Sequence, residues 1–174
     1  MNKSLFLERI QIERDKFELL LNRVGFARQM TIKGLYGNLS VKDLLADVLT
    51  REQFMADRLN EILHDLEYSP CTSHTALDKF QEEHGFPDYE SPLLAGERHN
   101  PLVIYKYRNI GLDEIISQDL AAFSNILTVF EKLSHDECLD HDLYHRIAEH
   151  TYRPYRRATA EIQRWLKSIA SEPR

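Results

Sequence analysis

The chain has 174 residues with a formal net charge of −6, histidine taken as neutral. That length suffices for one domain with a substantial core and requires no second one. The acidic balance and the absence of a long Lys/Arg run leave nucleic acid without an electrostatic footprint, and no stretch of roughly 18 apolar residues suggests a membrane span.

In chain order, residues 4–25 predict a helix. Ser4 can cap it, and Phe6, Ile10, Phe17, Leu20, Leu21 and Val24 recur at three- and four-residue spacing. Gly25 follows the last periodic residue and can take the left-handed C′ conformation. Residues 26–39, with Gly34 and Gly37, read as a loop. Ser40 then opens a second helix, with Asp43 as the acid of a capping box. Leu44, Leu45, Val48, Phe54, Met55, Leu59, Ile62 and Leu63 carry it to about residue 66.

Residues 67–111 are broken by Pro70, Pro87, Pro92 and Pro101 and read as irregular, apart from a short helix from Ser73 to Glu83 with Leu77 and Phe80 inward. So long a connection is uncommon in a compact domain and often functional; here it is expected to cover one end of the helices. Residues 112–133 form a third strong helix, with Ile115, Ile116, Leu120, Phe123, Ile126, Leu127, Phe130 and Leu133 on a wide apolar face. Ser134 with Glu137 reads as another capping pair. The last helix covers 155–170, with Pro154 near its start and Ile162, Trp165, Leu166 and Ile169 as its stripe. A piece at 142–150 joins it at a kink. No strand is expected. The pattern predicts an all-α domain over 1–174: a four-helix bundle with a long irregular crossover between helices 2 and 3.

Cys71 and Cys138 lie far apart without a CxxC and read as free thiols of a reducing compartment. Glu8, Arg9, Glu13 and Arg14 interrupt any signal-peptide pattern. A soluble, cytoplasmic protein is the expectation. The cluster Arg153, Arg156, Arg157, Arg164 and Lys167 reads as a solvated face on a C-terminal helix.

Two segments carry more information. One is Gly37-Asn38-Leu39-Ser40-Val41-Lys42-Asp43-Leu44-Leu45-Ala46, followed by Asp47. The other runs from Ile147 through His150, Thr151, Tyr152, Arg153, Pro154, Tyr155, Arg156 and Arg157 to Ala158. Together they resemble the signature segments of the DinB-like four-helix bundles, and the second is similar to the ClbS/DfsB pattern Asn-Thr-x-x-His-Tyr-x-x-His. Thr151 and Tyr155 match it, and His150 stands for the asparagine. Ile162-Gln163-Arg164-Trp165 fits the family's ending, and His99-Asn100 is similar to a degraded Trp-Asn signature.

The resemblance implies a bundle fold. It also implies that three ligand histidines of metal-binding relatives are replaced here by Asp47, Pro154 and Ala158. Several DinB-like proteins are metal-dependent thiol transferases. The ClbS/DfsB branch instead includes a metal-independent hydrolase that inactivates a genotoxic natural product. The implied reading has no metal and no cofactor.

Candidate chemistry then rests on a few side chains. Asp47 and Arg51 are an i, i+4 carboxylate–guanidinium pair, surrounded by Leu44, Val48 and Met55. An exposed pair of that kind stabilises a helix by only about 0.2–0.5 kcal/mol; a buried one could orient water or a substrate amine. His150, one turn before Pro154, titrates near neutrality. Asp47 or His150 would activate water and Arg51 would hold developing negative charge. Tyr155, Thr151, Asn100 and His99 are the candidate ligand contacts, with Tyr105, Tyr107 and Tyr152 near the mouth. His141 and His145 form an HxxxH spacing, read as solvated histidines on one helical face. No Gly-rich phosphate loop and no GxSxG elbow occurs.

The expected partner is therefore a small molecule in an interhelical pocket. The alternative is a non-catalytic interaction protein that homodimerises through exposed apolar helix faces. A metal-dependent thiol transferase is the third reading.

Overall fold

A computed structural model describes residues 2–25, 30–35, 38–66, 68–94 and 100–170. Among these, the chain is all-helical and forms no strand.

Helix α1 spans Lys3–Val24 and is capped by Asn2 rather than Ser4. The Asn2 Oδ1 accepts the Ser4 amide at 2.8 Å, satisfying an N–H that has no partner inside the helix. Gly25 ends it at φ 90°, ψ −128°, a glycine conformation outside the left-handed helical region expected there. Helix α2 spans Val41–Leu63 with the expected capping box: Ser40 Oγ accepts the Asp43 amide at 3.3 Å, and Asp43 Oδ2 accepts the Ser40 amide at 2.9 Å. Helix α3 spans His74–His84 behind the Ser73 cap.

The stretch 67–111 holds more helix than its prolines suggest. After a 3-10 turn at Pro92–Leu94, helix α4 runs Pro101–Tyr107. Pro101 takes the first turn, where no amide is needed, and the Asn100 Oδ1 accepts the Leu102 amide at 2.9 Å. Helix α5 spans Leu112–Lys132, and α6 spans His135–Asp140 behind the Ser134/Glu137 capping box. Helix α7, Leu143–His150, and α8, Tyr152–Ala170, are separated by a break at Thr151. Pro154 sits in the first turn of α8, so its missing N–H costs no hydrogen bond.

Helix α2 is central. It packs against α5, and also against α4, α7 and α8, while α1 packs along α8. This is why α2 is apolar around much of its circumference, with Leu45, Leu49, Phe54, Met55 and Leu59 all at or below 1% exposure. Each such side chain gains about 1.5–3 kcal/mol from leaving water. Phe6 closes one end against Phe130 and Tyr144, with ring centroids at 5.6 and 5.0 Å. Two stripe residues depart from expectation: Leu120 is 50% exposed and Ile169 is 44% exposed. The inward register of α5 is taken by Asp119 instead.

The Ser40 box opens the central helix. Ser40→Ala is expected to lower stability by about 1 kcal/mol, read as a lower urea midpoint at unchanged m-value. An unchanged midpoint would show that the cap contributes nothing.

Candidate functional site

Charged side chains occupy core positions, and they fall into two groups. The first joins the four long helices. Arg14 of α1, Glu52 of α2, Asp119 of α5 and Tyr155 of α8 are all buried. Arg14 Nη1 donates to Glu52 Oε2 at 2.6 Å and to the Tyr155 hydroxyl at 3.1 Å. Its Nη2 pairs with Asp119, and its Nε donates to Glu18 at 3.0 Å. The Tyr155 hydroxyl donates to Glu52 Oε2 at 2.5 Å. Phe17 stacks on the Tyr155 ring at 5.1 Å. One buried cation thus faces two carboxyls in the core. Burial first, and then the Asp119 charge, push the Glu52 carboxyl well above the ordinary range, against the pull of Arg14 and Tyr155.

The second group lies where α2, α7 and the loop after α3 meet. His150, the last residue of α7, is 5% exposed. Its Nε2 faces Glu90 Oε2 at 3.7 Å, a charge–dipole contact. Its Nδ1 is buried and meets no hydrogen-bond partner among the described residues. The ring lies against Phe54 at 5.1 Å and Tyr89 at 6.4 Å. Arg146, one turn earlier, grips both Glu90 oxygens at 2.7 Å. Burial opposes ionisation of Glu90, but the neighbouring His150 ring and the two hydrogen bonds and charge of Arg146 win and hold it at about 2. For His150 burial dominates: its pKa lies below the ordinary 6.5, with Glu90 pulling upward and Arg51 adding to the lowering. The site therefore sets a carboxylate beside an imidazole whose charged form is disfavoured.

The loop is anchored by fully buried Asp88, which accepts from the Tyr68 hydroxyl, from the Cys71 amide at 2.8 Å and from the Glu90 amide at 3.1 Å. This fixes the backbone at Glu90. Cys71 is pushed up to about 11, by burial and then by Asp88, and is no thiolate nucleophile at neutral pH.

The residues singled out in the sequence distribute as follows. Asp47 is 6% exposed and accepts from Arg51 Nε at 3.2 Å. The Arg51 guanidinium lies 4.5 Å above the Tyr89 ring, and the Tyr89 hydroxyl meets Thr50 Oγ1 at 2.5 Å. Asp47, Arg51 and His150 thus gather around Tyr89. Tyr155 is part of the Arg14 group. Thr151 is fully buried and donates to the Ile147 carbonyl at 2.7 Å. Asn100 caps α4, and His99 lies outside the described residues. Tyr105 is 71% exposed, while Tyr107 and Tyr152 are buried. His141 and His145 do not share a helical face: His141 terminates α6, Asp142 turns the chain at φ 52°, and His145 belongs to α7.

Two clefts flank these groups. One, of about 520 Å³, is lined by Arg58, Tyr68, His141 and Arg146. The other, of about 490 Å³, lies between α2 and α5 and includes Gln53, Asp57, Tyr107 and Gln118. Neither is lined by Asp47 or His150. Pro154 and Ala158 are buried side chains of carbon alone and offer no donor atom to a metal, and among the described residues no group of three or more His, Cys, Asp or Glu is placed to hold a metal ion.

Sequence reasoning missed Arg14, Glu52 and Asp119 although a signal existed. Each occupies a core register: Ile10–Arg14–Phe17, Val48–Glu52–Met55 and Ile115–Asp119–Ala122. Glu90 and Tyr89 lie in irregular chain, where no periodicity marks an inward residue.

No protein-family model matches the chain, and no curated protein matches it. Among solved structures, it is similar to an uncharacterised protein from Escherichia coli UTI89, with a TM-score of 0.59 at 14% identity over 99% of this chain and 96% of that one. At that identity the likeness concerns the fold alone.

Removing Arg14 leaves buried carboxyls without their cation, so Arg14→Ala is expected to cost about 3–5 kcal/mol in chemical denaturation. A loss under about 1 kcal/mol, the scale of an exposed pair, would contradict the central role. The folded Glu90 value lies below the ordinary 4.5, so its stabilisation is present above pH 4.5 and is lost as pH falls through about 2. Glu90→Gln removes that acid-range loss. It also removes the upward pull on His150, whose NMR-titrated pKa falls further below 6.5. An unchanged or higher His150 pKa would contradict the pairing.

Proposed function

We propose that the chain is a metal-free four-helix bundle of the DinB-like ClbS/DfsB kind, which binds a small molecule and hydrolyses it with His150 as general base. The two motif segments around Asp47 and His150 support the family reading. One observation carries the chemistry: a buried imidazole with a carboxylate facing Nε2 and, among the described residues, no hydrogen-bond partner at Nδ1. With Nε2–H turned toward Glu90, the lone pair resides on Nδ1 and can take a proton from water.

Glu90 positions the ring and stabilises the imidazolium formed on proton transfer. Arg146 keeps Glu90 ionised at rest. Arg51, stacked on Tyr89 and oriented by Asp47, supplies the positive charge toward which an oxyanion develops. Asp47 is then a positioning residue, and the base role falls to His150. Hydrolysis in this scheme uses water and substrate only. The new bond forms between the water oxygen and the electrophilic carbon, and the leaving group collects the proton from His150.

The expected substrates are electrophiles with an apolar body. On a panel of aryl esters and epoxides, purified protein is expected to turn over at least one. His150→Ala lowers that rate by about 10²–10⁴-fold, and EDTA leaves it unchanged. A rate insensitive to His150→Ala, or one abolished by the chelator, would overturn the mechanism.

A further inference from the structure

The cleft lined by Arg58, Tyr68, His141 and Arg146 has a wall that the general-base chemistry does not use. Arg58 is 1% exposed. Its guanidinium is held among three aromatic rings, 4.9 Å from Phe54, 4.7 Å from Tyr68 and 5.1 Å from Phe80. Only Nη2 makes a hydrogen bond, to Glu61 Oε1 at 2.8 Å. Nε and Nη1 are buried and meet no hydrogen-bond acceptor among the described residues. Arginine is permanently charged, so these N–H groups cannot be neutralised by losing a proton. Leaving such donors unsatisfied is unfavourable, and more so for a charged group. Ring faces hold the guanidinium plane but supply only weak acceptors.

The rest of the cleft is of mixed charge. Arg146, paired with Glu90, and Asp65 share the wall, and exposed His141 stands at the rim. Ile62 and Leu66 contribute apolar surface. The volume of about 520 Å³ exceeds what a bare inorganic ion needs and falls in the range of small-molecule pockets.

We propose that this cleft binds a small organic oxyanion, a carboxylate or a phosphate ester with an apolar body, whose charged end meets Arg58. The ring cage orients the guanidinium, and the apolar part of the ligand lies against Ile62 and Leu66. The assignment deepens the small-molecule reading above and rests on it for the presence of a small-molecule ligand; it concerns the ligand's charge, not the base.

The test follows the side-chain Nε–H resonance of Arg58 in the full-length protein, identified by its disappearance in Arg58→Lys. Benzoate, phenyl phosphate and neutral benzamide are titrated separately. Saturable movement with benzoate or with phenyl phosphate is expected, and the one that binds tells which oxyanion is preferred. Benzamide leaves the signal in place. Arg58→Lys is expected to weaken binding at least about tenfold, and His141→Ala, an exposed rim change, by about threefold. No movement with either anion, or equal movement with benzamide, overturns the proposal. His150→Ala separates the two ideas: anion affinity is retained there even though turnover is lost. Turnover that persists in wild type without anion binding would remove the oxyanion assignment and leave the base chemistry standing.

Discussion

A single guanidinium ties together the long helices on which everything else rests. Arg14 reaches from α1 to Glu52 on α2, to Asp119 on α5 and to Tyr155 on α8. Apolar packing alone tolerates rotations and slips of one helix past another. A buried hydrogen-bonded charge does not, because any slip strands it in a medium that cannot solvate it. Such a group is weak evidence for net stability and better understood as a device for register. The register it sets matters for the site: Tyr155 lies just past the break at Thr151, and His150 lies just before it.

That break converts one helical path into two and leaves His150 at the end of α7, facing the loop that carries Glu90. The loop, in turn, is held by Asp88, so the acid is presented by a pinned turn and not by a swinging segment. Arg146 holds Glu90 in its ionised form while burial disfavours the His150 imidazolium. The pair is thereby divided into a carboxylate and an imidazole held against its charged form, a division made by environment alone. Tyr68, which lines the cleft with Arg58 and Arg146, is tied to the same loop through Asp88.

Much of the helical layout was legible in the residues, and the misses have physical causes. The Ser40/Asp43 box and the Ser134/Glu137 box announced their helices because a cap is a local chemical event. Ser4 and Asn2 are both good caps, and composition cannot rank neighbours competing for the same amides. Helix α4 hid behind Pro101, which breaks helices in their interior but starts them in the first turn. The burial of Asp47 was readable from Leu44, Val48 and Met55 around it, whereas His150 was marked only as a titrating group one turn before Pro154. Their partners were only half readable: Arg51 follows from i, i+4 spacing, whereas Glu90 lies 60 positions before His150 on chain without a period. Long-range pairing of this kind is decided by tertiary packing, not by local pattern.

The most direct test of the central claim is the tautomeric state of His150, read from imidazole ¹⁵N shifts at neutral pH. A neutral ring with its proton on Nε2, toward Glu90, and a pyridine-like Nδ1 is the predicted result. An imidazolium signal, or a proton on Nδ1, would contradict it and remove the base from the site.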